Sequence, residues 1–151
     1  MIKSSKQFIA VLYSSTNSLY QLSVLLVSNL VFKYGIAFCE ASGPCLVRHA
    51  GNDKNLELLA TDYAFKISSG HSLFILIKDA FPINILPRLK DVPEIANIYC
   101  ATANPIEVIF VETEQGTAIL GVVDGFKSKG VEGETDIEER KQFLRKIGYK
   151  M

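Results

Sequence analysis

The sequence is poor in the features that build disulfide, structural metal and nucleic-acid sites. It has three cysteines among 151 residues, and Cys39, Cys45 and Cys100 form no CxxC pair. This odd number, with no secretory signal evident, predicts reduced thiols in a cytoplasmic protein. Sixteen Lys and Arg balance sixteen Asp and Glu, so no basic stripe indicates nucleic-acid binding. Zero net charge is compatible with association between copies, and we expect a homo-oligomer.

Long hydrophobic runs and the common phosphate-binding motifs are also absent. The most apolar stretch, residues 19–32, is interrupted by polar side chains and is too short to cross a bilayer, so we expect no membrane partner. The chain contains neither Gly-x-x-x-x-Gly-Lys-Ser/Thr nor Gly-x-Gly-x-x-Gly. The phosphate cradles of P-loop kinases and Rossmann domains are therefore excluded, and a phosphate site must be built from other residues.

The hydrophobic patterns predict one α/β domain over residues 1–151, a layered sandwich with a mixed sheet flanked by helices. Helical spacing predicts helices over 17–29, 53–67 and 136–147, with a short helix starting near residue 82. In the last long helix we expect Thr135 or Asp136 as the cap and Ile137, Phe143, Leu144 and Ile147 facing inward. Strands are predicted over 8–13 (an edge strand), 32–39, 46–49, 73–78, 96–101, 108–112 and 118–123. Because no helices separate the last three strands, part of the sheet must be antiparallel.

One of only two histidines lies where a chemical group would be placed. His71 follows Gly70, which allows a tight turn and close ligand approach, and it precedes an apolar strand. Imidazole can act near neutral pH as a nucleophile, general base or phosphate carrier. The alternative is a strand-start histidine bonded to a backbone carbonyl. His49, inside a short predicted strand, competes for the chemical role, although a structural role is favoured for it.

Small and polar residues follow several predicted strands, in segments 39–43, 101–105, 112–116 and 123–125. Ligands of open α/β sheets bind at the carboxyl ends of strands, so these segments are candidate binding loops, although each could simply be a turn. They contain the candidate ligand residues Glu40, Ser42, Thr102 and Asn104.

Three long blocks of the chain resemble the adenosine-specific kinase family. They are GIAFCEASGPCLVRHAGND, SGHSLFILIKDAFPIN and the segment from CATANPIEVIFVETEQG to the C-terminal end, so the resemblance runs from about Gly35 onward. It implies a compact α/β protein that binds adenosine or AMP. It also implies a phosphorylated histidine, because Gly70, His71 and Ser72 match the family's Gly-His-Ser motif.

Phosphoryl chemistry needs cationic donors, and a metal if a nucleotide is the phosphate donor. Arg48 can bind phosphate bidentately, and Lys127 and Lys129 could close over it from the glycine-bounded loop 125–133, unless that loop is simply solvated. Glu40 could orient the imidazole or help to hold Mg²⁺. The carboxylates expected to bind Mg²⁺ are Glu112, Glu114 and Asp124, whose alternative role is a solvated or ion-paired surface group.

The nucleoside itself needs an apolar slot with a few hydrogen-bonding groups. Phe81 and Asn84, with the two residues between them, are candidates for the adenine wall, and Thr102 and Asn104 could bind ribose or base edges. The leading hypothesis is an adenosine- or AMP-binding phosphotransferase in which His71 carries the phosphoryl group. Its alternatives are a sensor module that binds adenosine or AMP without turnover, and an assembly protein with a vestigial pocket.

Overall fold

The computed structural model describes residues 7–13 and 32–148. The predicted helix over 17–29 lies outside the described residues. The elements, in chain order, are β1 Gln7–Tyr13, β2 Lys33–Cys39, β3 Val47–Gly51, α1 Lys54–Ile67, β4 Ser72–Lys78, a 3₁₀ turn Pro82–Asn84, α2 Leu86–Lys90, β5 Ile95–Thr102, β6 Ile106–Glu112, β7 Thr117–Asp124 and α3 Glu134–Lys146.

Five strands form one sheet in the order β3-β2-β4-β1-β5, and β6 pairs with β7 in a separate hairpin. The α/β class is confirmed. Every pairing between these described strands is antiparallel, however, so the prediction that the sheet is mixed is wrong for them. The reason lies in the crossover through α1. It joins β3 to β4, which run in the same direction but lie on either side of β2, so no two parallel strands become neighbours.

The first strand lies inside the sheet, so its prediction as an edge strand is wrong. β1 pairs with β4 on one side and with β5 on the other. Ile9, for example, faces Ile75 across one ladder and Ala101 across the other. An edge or interior position depends on pairing with strands that are distant in sequence, which the local mixture of Ser and Lys around this strand does not reveal.

The sheet separates two hydrophobic layers. Alternate residues of β2 and β4, such as Ala37 and Phe74, pack beneath α1 and the β6–β7 hairpin. Their neighbours, such as Phe38 and Ile75, pack on the other face with residues of the 3₁₀ turn and α2 region. Because β2 and β4 are covered on both faces, their sequences are almost continuously apolar.

Helix α1 packs closely across β2 because glycine lies beneath it. A Cβ atom at Gly35 would overlap the backbone of Leu56 and Glu57. The helix begins after Asp53, whose carboxylate accepts hydrogen bonds from the N–H groups of Asn55 and Leu56 at 3.0 and 3.1 Å. These bonds lower the pKa of Asp53, with the Leu56 bond as the largest cause.

The last helix differs from its prediction. α3 begins one residue before the predicted caps, after Gly133, and none of its residues is buried. Phe143 and Ile147 are more than half exposed, so the expectation that they face inward is wrong for the described residues. Amphipathic spacing indicates that a face needs a partner, but it does not say which part of the molecule supplies it. Among the described residues, no helix is long and apolar enough to span a membrane.

Candidate functional site

The antiparallel pairing brings three chain segments to one edge of the sheet. We call this the upper edge, where Cys39 ends β2 opposite Val47, which begins β3, and beside Ser72, which begins β4. The opposite, lower edge carries Lys33 and Lys78. The predicted residues that follow β2 and those that precede β4 therefore lie together at the upper edge. The start of β3 lies there as well.

His71 lies at this upper edge in an unusual backbone conformation. Its φ angle is +58°, a region that non-glycine residues rarely adopt. Its main-chain N–H donates to the Cys39 carbonyl at 2.8 Å, and its ring stacks on the Phe38 ring with centroids 6.0 Å apart and planes 12° apart. The ring nitrogens form no hydrogen bond within the described part of the chain. The imidazole is thus held in place through its flat face, and its nitrogens are not used by hydrogen bonds to the described residues.

Arg48 lies on the same face of the sheet as Phe38, because the two residues are directly opposite across the β2–β3 ladder. Its guanidinium binds the Glu40 carboxylate with two bonds, Nη2 to Oε1 at 2.5 Å and Nε to Oε2 at 3.2 Å. The Glu40 side chain is only 7% exposed. Arg48 therefore lies near Phe38, on which the His71 ring stacks. Its guanidinium, however, already forms two hydrogen bonds with the Glu40 carboxylate.

A cavity of about 550 Å³ opens on the other face of the upper edge, below the C-terminal end of α1. This volume falls in the range of small-molecule sites. The lining comes from the β2–β3 connection, the end of α1 and the tip of the β6–β7 hairpin: Cys39, Glu40, Ala41, Cys45, Leu46, Val47, Phe65, Ser68, Gly70, Thr113, Gln115, Gly116, Thr117 and Ala118.

Two of the predicted ligand residues, Glu40 and Gly70, line this cavity. His71 does not line it, but it directly follows Gly70 in the chain. A Cβ atom at Gly70 would lie 2.8 Å from the Ala41 side chain, so only glycine allows the two loops to approach this closely. The upper edge is therefore a thin wall with the cavity on one face and the imidazole on the other.

Two other side chains beside this wall, those of Ser72 and Cys39, form hydrogen bonds within the protein. The Ser72 hydroxyl is buried and donates to the Ser69 carbonyl at 2.6 Å. The Cys39 thiol donates to the Ala64 carbonyl at 3.3 Å, and burial raises its pKa against a smaller opposing effect of a hydrogen bond with Ser72. A thiol with a raised pKa is a poor nucleophile. The remaining predicted residue, Ser42, lies exposed in the β2–β3 connection.

The predicted adenine and ribose residues lie elsewhere, near the lower edge, and the structure does not bring them to the cavity. Asn84 accepts a hydrogen bond from the Phe81 N–H at 2.7 Å. The Asn104 amide donates to Asp124 Oδ1 at 3.0 Å, and the Asn104 N–H donates to the Thr102 hydroxyl at 3.1 Å. The polar groups of these residues stabilise local turns.

The predicted magnesium ligands are separated by the length of the hairpin. Glu112 ends β6, Glu114 lies in the following turn, and Asp124 pairs with Ile106 at the other end of the hairpin. At about 3.3 Å per residue, this separation is roughly 20 Å. Among the described residues, no three His, Cys, Asp or Glu side chains are grouped to hold a metal ion. Within one copy of the described chain, Asp124 therefore lies too far from Glu112 and Glu114 to share a metal ion with them.

The two predicted phosphate lysines lie in the exposed connection between β7 and α3. Lys127 and Lys129 form no ion pair or hydrogen bond among the residues that the structure describes. This connection starts beside Pro105, whose carbonyl accepts from the Gly125 N–H at 2.9 Å, which places its beginning at the lower edge. The structure does not bring these lysines together with His71.

His49 occupies a separate site against α1. Its Nδ1 atom lies 2.5 Å from Glu57 Oε1, and the Lys54 ammonium approaches the same oxygen at 3.3 Å. The hydrogen bond with His49 is the largest cause that lowers the pKa of Glu57. This pair joins the edge strand β3 to the first turn of α1, which favours the structural role expected for His49.

Comparison with known proteins agrees with this architecture. The family model described as adenosine specific kinase matches residues 3–150, so the match extends through the first 34 residues. The chain resembles a solved structure, the PH1918 protein from Pyrococcus horikoshii OT3, with 39% identity and a TM-score of 0.87 over 100% of this chain and 94% of that one. No curated protein matches the sequence. With its family model matched over nearly its whole length, the chain belongs to the adenosine-specific kinase family.

Proposed function

We propose that this chain transfers a phosphoryl group to adenosine through a phosphorylated His71. The observation that carries the proposal is the wall at the upper edge. Gly70 lines a ligand-sized cavity, and the next residue presents an imidazole whose nitrogens form no hydrogen bond with the residues that the structure describes. The base occupies the cavity, and the ribose hydroxyl extends over the wall toward the imidazole. Family membership supports adenosine as the ligand.

The proposed transfer has two steps. In the first, a ring nitrogen of His71 attacks the phosphorus of a phosphate donor, the N–P bond forms, and the donor's leaving oxygen departs with the electron pair of the broken P–O bond. In the second, a hydroxyl oxygen of adenosine attacks the same phosphorus and the N–P electron pair returns to the imidazole, which accepts the hydroxyl proton. A covalent intermediate divides the transfer in this way so that donor and acceptor need not bind together.

The stacked ring of Phe38 supports this role. A nucleophile must be held in one orientation to react efficiently, and parallel stacking restricts the imidazole without using its nitrogens. Arg48 lies on the same face of the sheet and can contribute positive charge to the phosphoryl oxygens. Because Glu40 already binds its guanidinium, the proposal requires the arginine to share or exchange this carboxylate when phosphate is present. A requirement for Mg²⁺ when a nucleotide is the phosphate donor stays a prediction.

Calorimetry and a transfer assay test the proposal together. Adenosine and AMP are expected to bind more tightly than guanosine and cytidine counterparts, since a pocket complementary to one base leaves buried polar groups unpaired with another. The protein phosphorylated at His71 is expected to convert adenosine to AMP in a single turnover. Equal affinity for all nucleosides would contradict adenosine recognition. Selective binding without transfer would support the alternative, a sensor module.

We also propose that the chain works as a homo-oligomer. The support is a set of exposed apolar side chains on the hairpin and the C-terminal segment, where Leu120 is 66%, Phe126 is 87% and Val131 is 98% exposed. Contiguous exposed apolar surface is typical of protein interfaces, and the zero net charge adds no repulsion between copies. Sedimentation is expected to show that the wild type is an oligomer. The charge introduced by Leu120→Lys is expected to weaken this association. A monomeric wild type would contradict it.

A further inference from the structure

We propose that Gln115, at the tip of the β6–β7 hairpin, selects adenine by binding its N6 and N7 atoms. This inference rests on the proposed function, because it assumes that a nucleoside base occupies the cavity. It goes further by naming the side chain that distinguishes adenine from guanine and the edge of the base that it contacts.

The argument begins with the polar side chains that line the cavity, most of which already have partners. The Glu40 carboxylate binds Arg48. The Ser68 hydroxyl donates to the Phe65 carbonyl. The Thr113 hydroxyl donates to the Gly116 carbonyl at 2.9 Å and accepts from the Gly116 N–H at 3.2 Å.

Three uncharged polar lining side chains remain unbonded among the described residues: the Gln115 amide, the Thr117 hydroxyl and the weakly polar Cys45 thiol. Of these, only the amide carries an acceptor and a separate pair of donors on one flat group. Gln115 can therefore form two hydrogen bonds with a planar base that presents a donor next to an acceptor.

The tip that carries this glutamine is well fixed. The turn over residues 113–116 is closed by the Thr113 N–H, which donates to the Gly116 carbonyl at 2.8 Å, and by the Thr113 hydroxyl. Thr117 also forms a parallel bridge with Ser69 at the end of α1. The glutamine backbone is thus held against the cavity before any ligand arrives, which reduces the entropy lost on binding.

Two large apolar side chains also line the cavity, and both are unusually exposed. Leu46 is 63% and Phe65 is 70% exposed, although Phe65 belongs to α1, whose other apolar residues are largely buried. A flat aromatic base between the β2–β3 connection and α1 would cover part of both side chains. Apolar walls with a few placed polar groups are the usual composition of a site for such a ligand.

The chemistry of the amide gives the direction of selectivity. A glutamine amide can accept from the adenine N6 amino group and donate to N7 at the same time, whereas guanine presents two acceptors, O6 and N7, at the same edge. The carbonyl of Gln115 would then face another acceptor, and one bond would be lost. The proposal therefore predicts a preference for adenine that depends on N7.

The test measures the affinity of adenosine, 7-deazaadenosine and guanosine for the wild type, Gln115→Ala and Gln115→Glu by calorimetry. Gln142→Ala, the same truncation on the exposed helix α3, is the control. Thermal unfolding of each variant verifies that it is folded. We expect Gln115→Ala to weaken adenosine at least tenfold, and Gln142→Ala to leave adenosine affinity unchanged.

The analogue separates a specific contact from general loss of the pocket. Replacing N7 by carbon is expected to weaken wild-type binding several-fold but to change the affinity of Gln115→Ala and Gln115→Glu little, since neither variant can donate to N7. If replacing N7 by carbon weakens binding to the wild type no more than binding to Gln115→Ala, this inference is overturned while the proposed function stands. A wild type that binds no adenosine would overturn the proposed function and this inference with it.

Discussion

The His71 imidazole stacks on the Phe38 ring, with centroids 6.0 Å apart and planes 12° apart. Phe38 is buried at 3% exposure, so the stacking partner is itself fixed by the core of the sheet. His71 adds a left-handed backbone conformation and a hydrogen bond to the Cys39 carbonyl. Strained backbone of this kind is often found at functional sites, which supports the role proposed for His71.

The first prediction concerns the site of phosphorylation. The purified chain is expected to carry about one acid-labile phosphate at His71, which alkaline mass spectrometry detects and acid removes. His71→Asn is expected to lose the phosphate and remain folded, because asparagine tolerates the left-handed conformation better than most residues. His49→Asn is the matched control and is expected to keep the phosphate. A label that maps to His49, or that survives acid, would contradict the assignment.

The second prediction concerns Arg48. Arg48→Ala is expected to weaken AMP binding at least tenfold and adenosine binding much less, since only AMP offers a phosphate to the guanidinium. It is also expected to cost roughly 1–3 kcal/mol of folding stability, because the largely buried Glu40 carboxylate loses its partner. Calorimetry with both ligands and urea unfolding measure the two effects.

A double variant separates the two roles of this arginine. Arg48→Ala combined with Glu40→Gln is expected to recover part of the lost stability, because no unpaired charge remains, but to recover no affinity for AMP. Equal losses of adenosine and AMP affinity in Arg48→Ala would show instead that the residue only supports the fold.

The third prediction tests the contact between α1 and β2. Gly35→Ala is expected to destabilise the protein by about 3 kcal/mol, because its Cβ would overlap backbone atoms of α1 that cannot move independently. Gly130→Ala, in an open part of the chain where nothing lies within 4 Å of an added Cβ, is the control and should be nearly neutral. Comparable stabilities of the two variants in urea would contradict this account of the packing.

The fourth prediction concerns acid stability. Hydrogen bonding with His49 and then with Lys54 lowers the pKa of Glu57 in the folded protein, whereas in the unfolded chain it is about 4.3. The ionised carboxylate therefore contributes stability above about pH 4.3. This contribution is lost as the pH falls further through the folded-state pKa, since the unfolded state binds the proton first.

Urea unfolding between pH 7 and pH 3 is expected to show a constant stability difference between the wild type and Glu57→Gln at higher pH and a shrinking difference in acid. His49→Ala removes the largest cause of the shift and raises the folded-state pKa of Glu57, so the acid loss is expected to be smaller and to be complete at a higher pH. Glu139→Gln, on the exposed helix α3, is the control and should follow the wild-type profile. A difference between wild type and Glu57→Gln that is independent of pH would refute this linkage.

The sequence by itself determined most of the local elements and the prediction of His71 as the chemical group. Apolar runs in β2 and β4 and helical spacing in α1 predicted these elements within about two residues, because both reflect which side chains are buried. Of the two histidines in the sequence, only His71 directly follows a glycine, Gly70, and this allows a ligand to approach it closely. Gly148, in a left-handed conformation just after α3, ends that helix as its position predicted.

The tertiary structure alone decided which residues meet. Strand order placed β1 inside the sheet and separated Thr102 and Asn104 from His71, since pairing between distant strands follows no local pattern. The hairpin's direction set Asp124 apart from Glu112 and brought Gln115 to the cavity instead. Exposed strand-end residues share the same polar composition at both edges of an antiparallel sheet, so only the path of the chain decides which edge becomes the site.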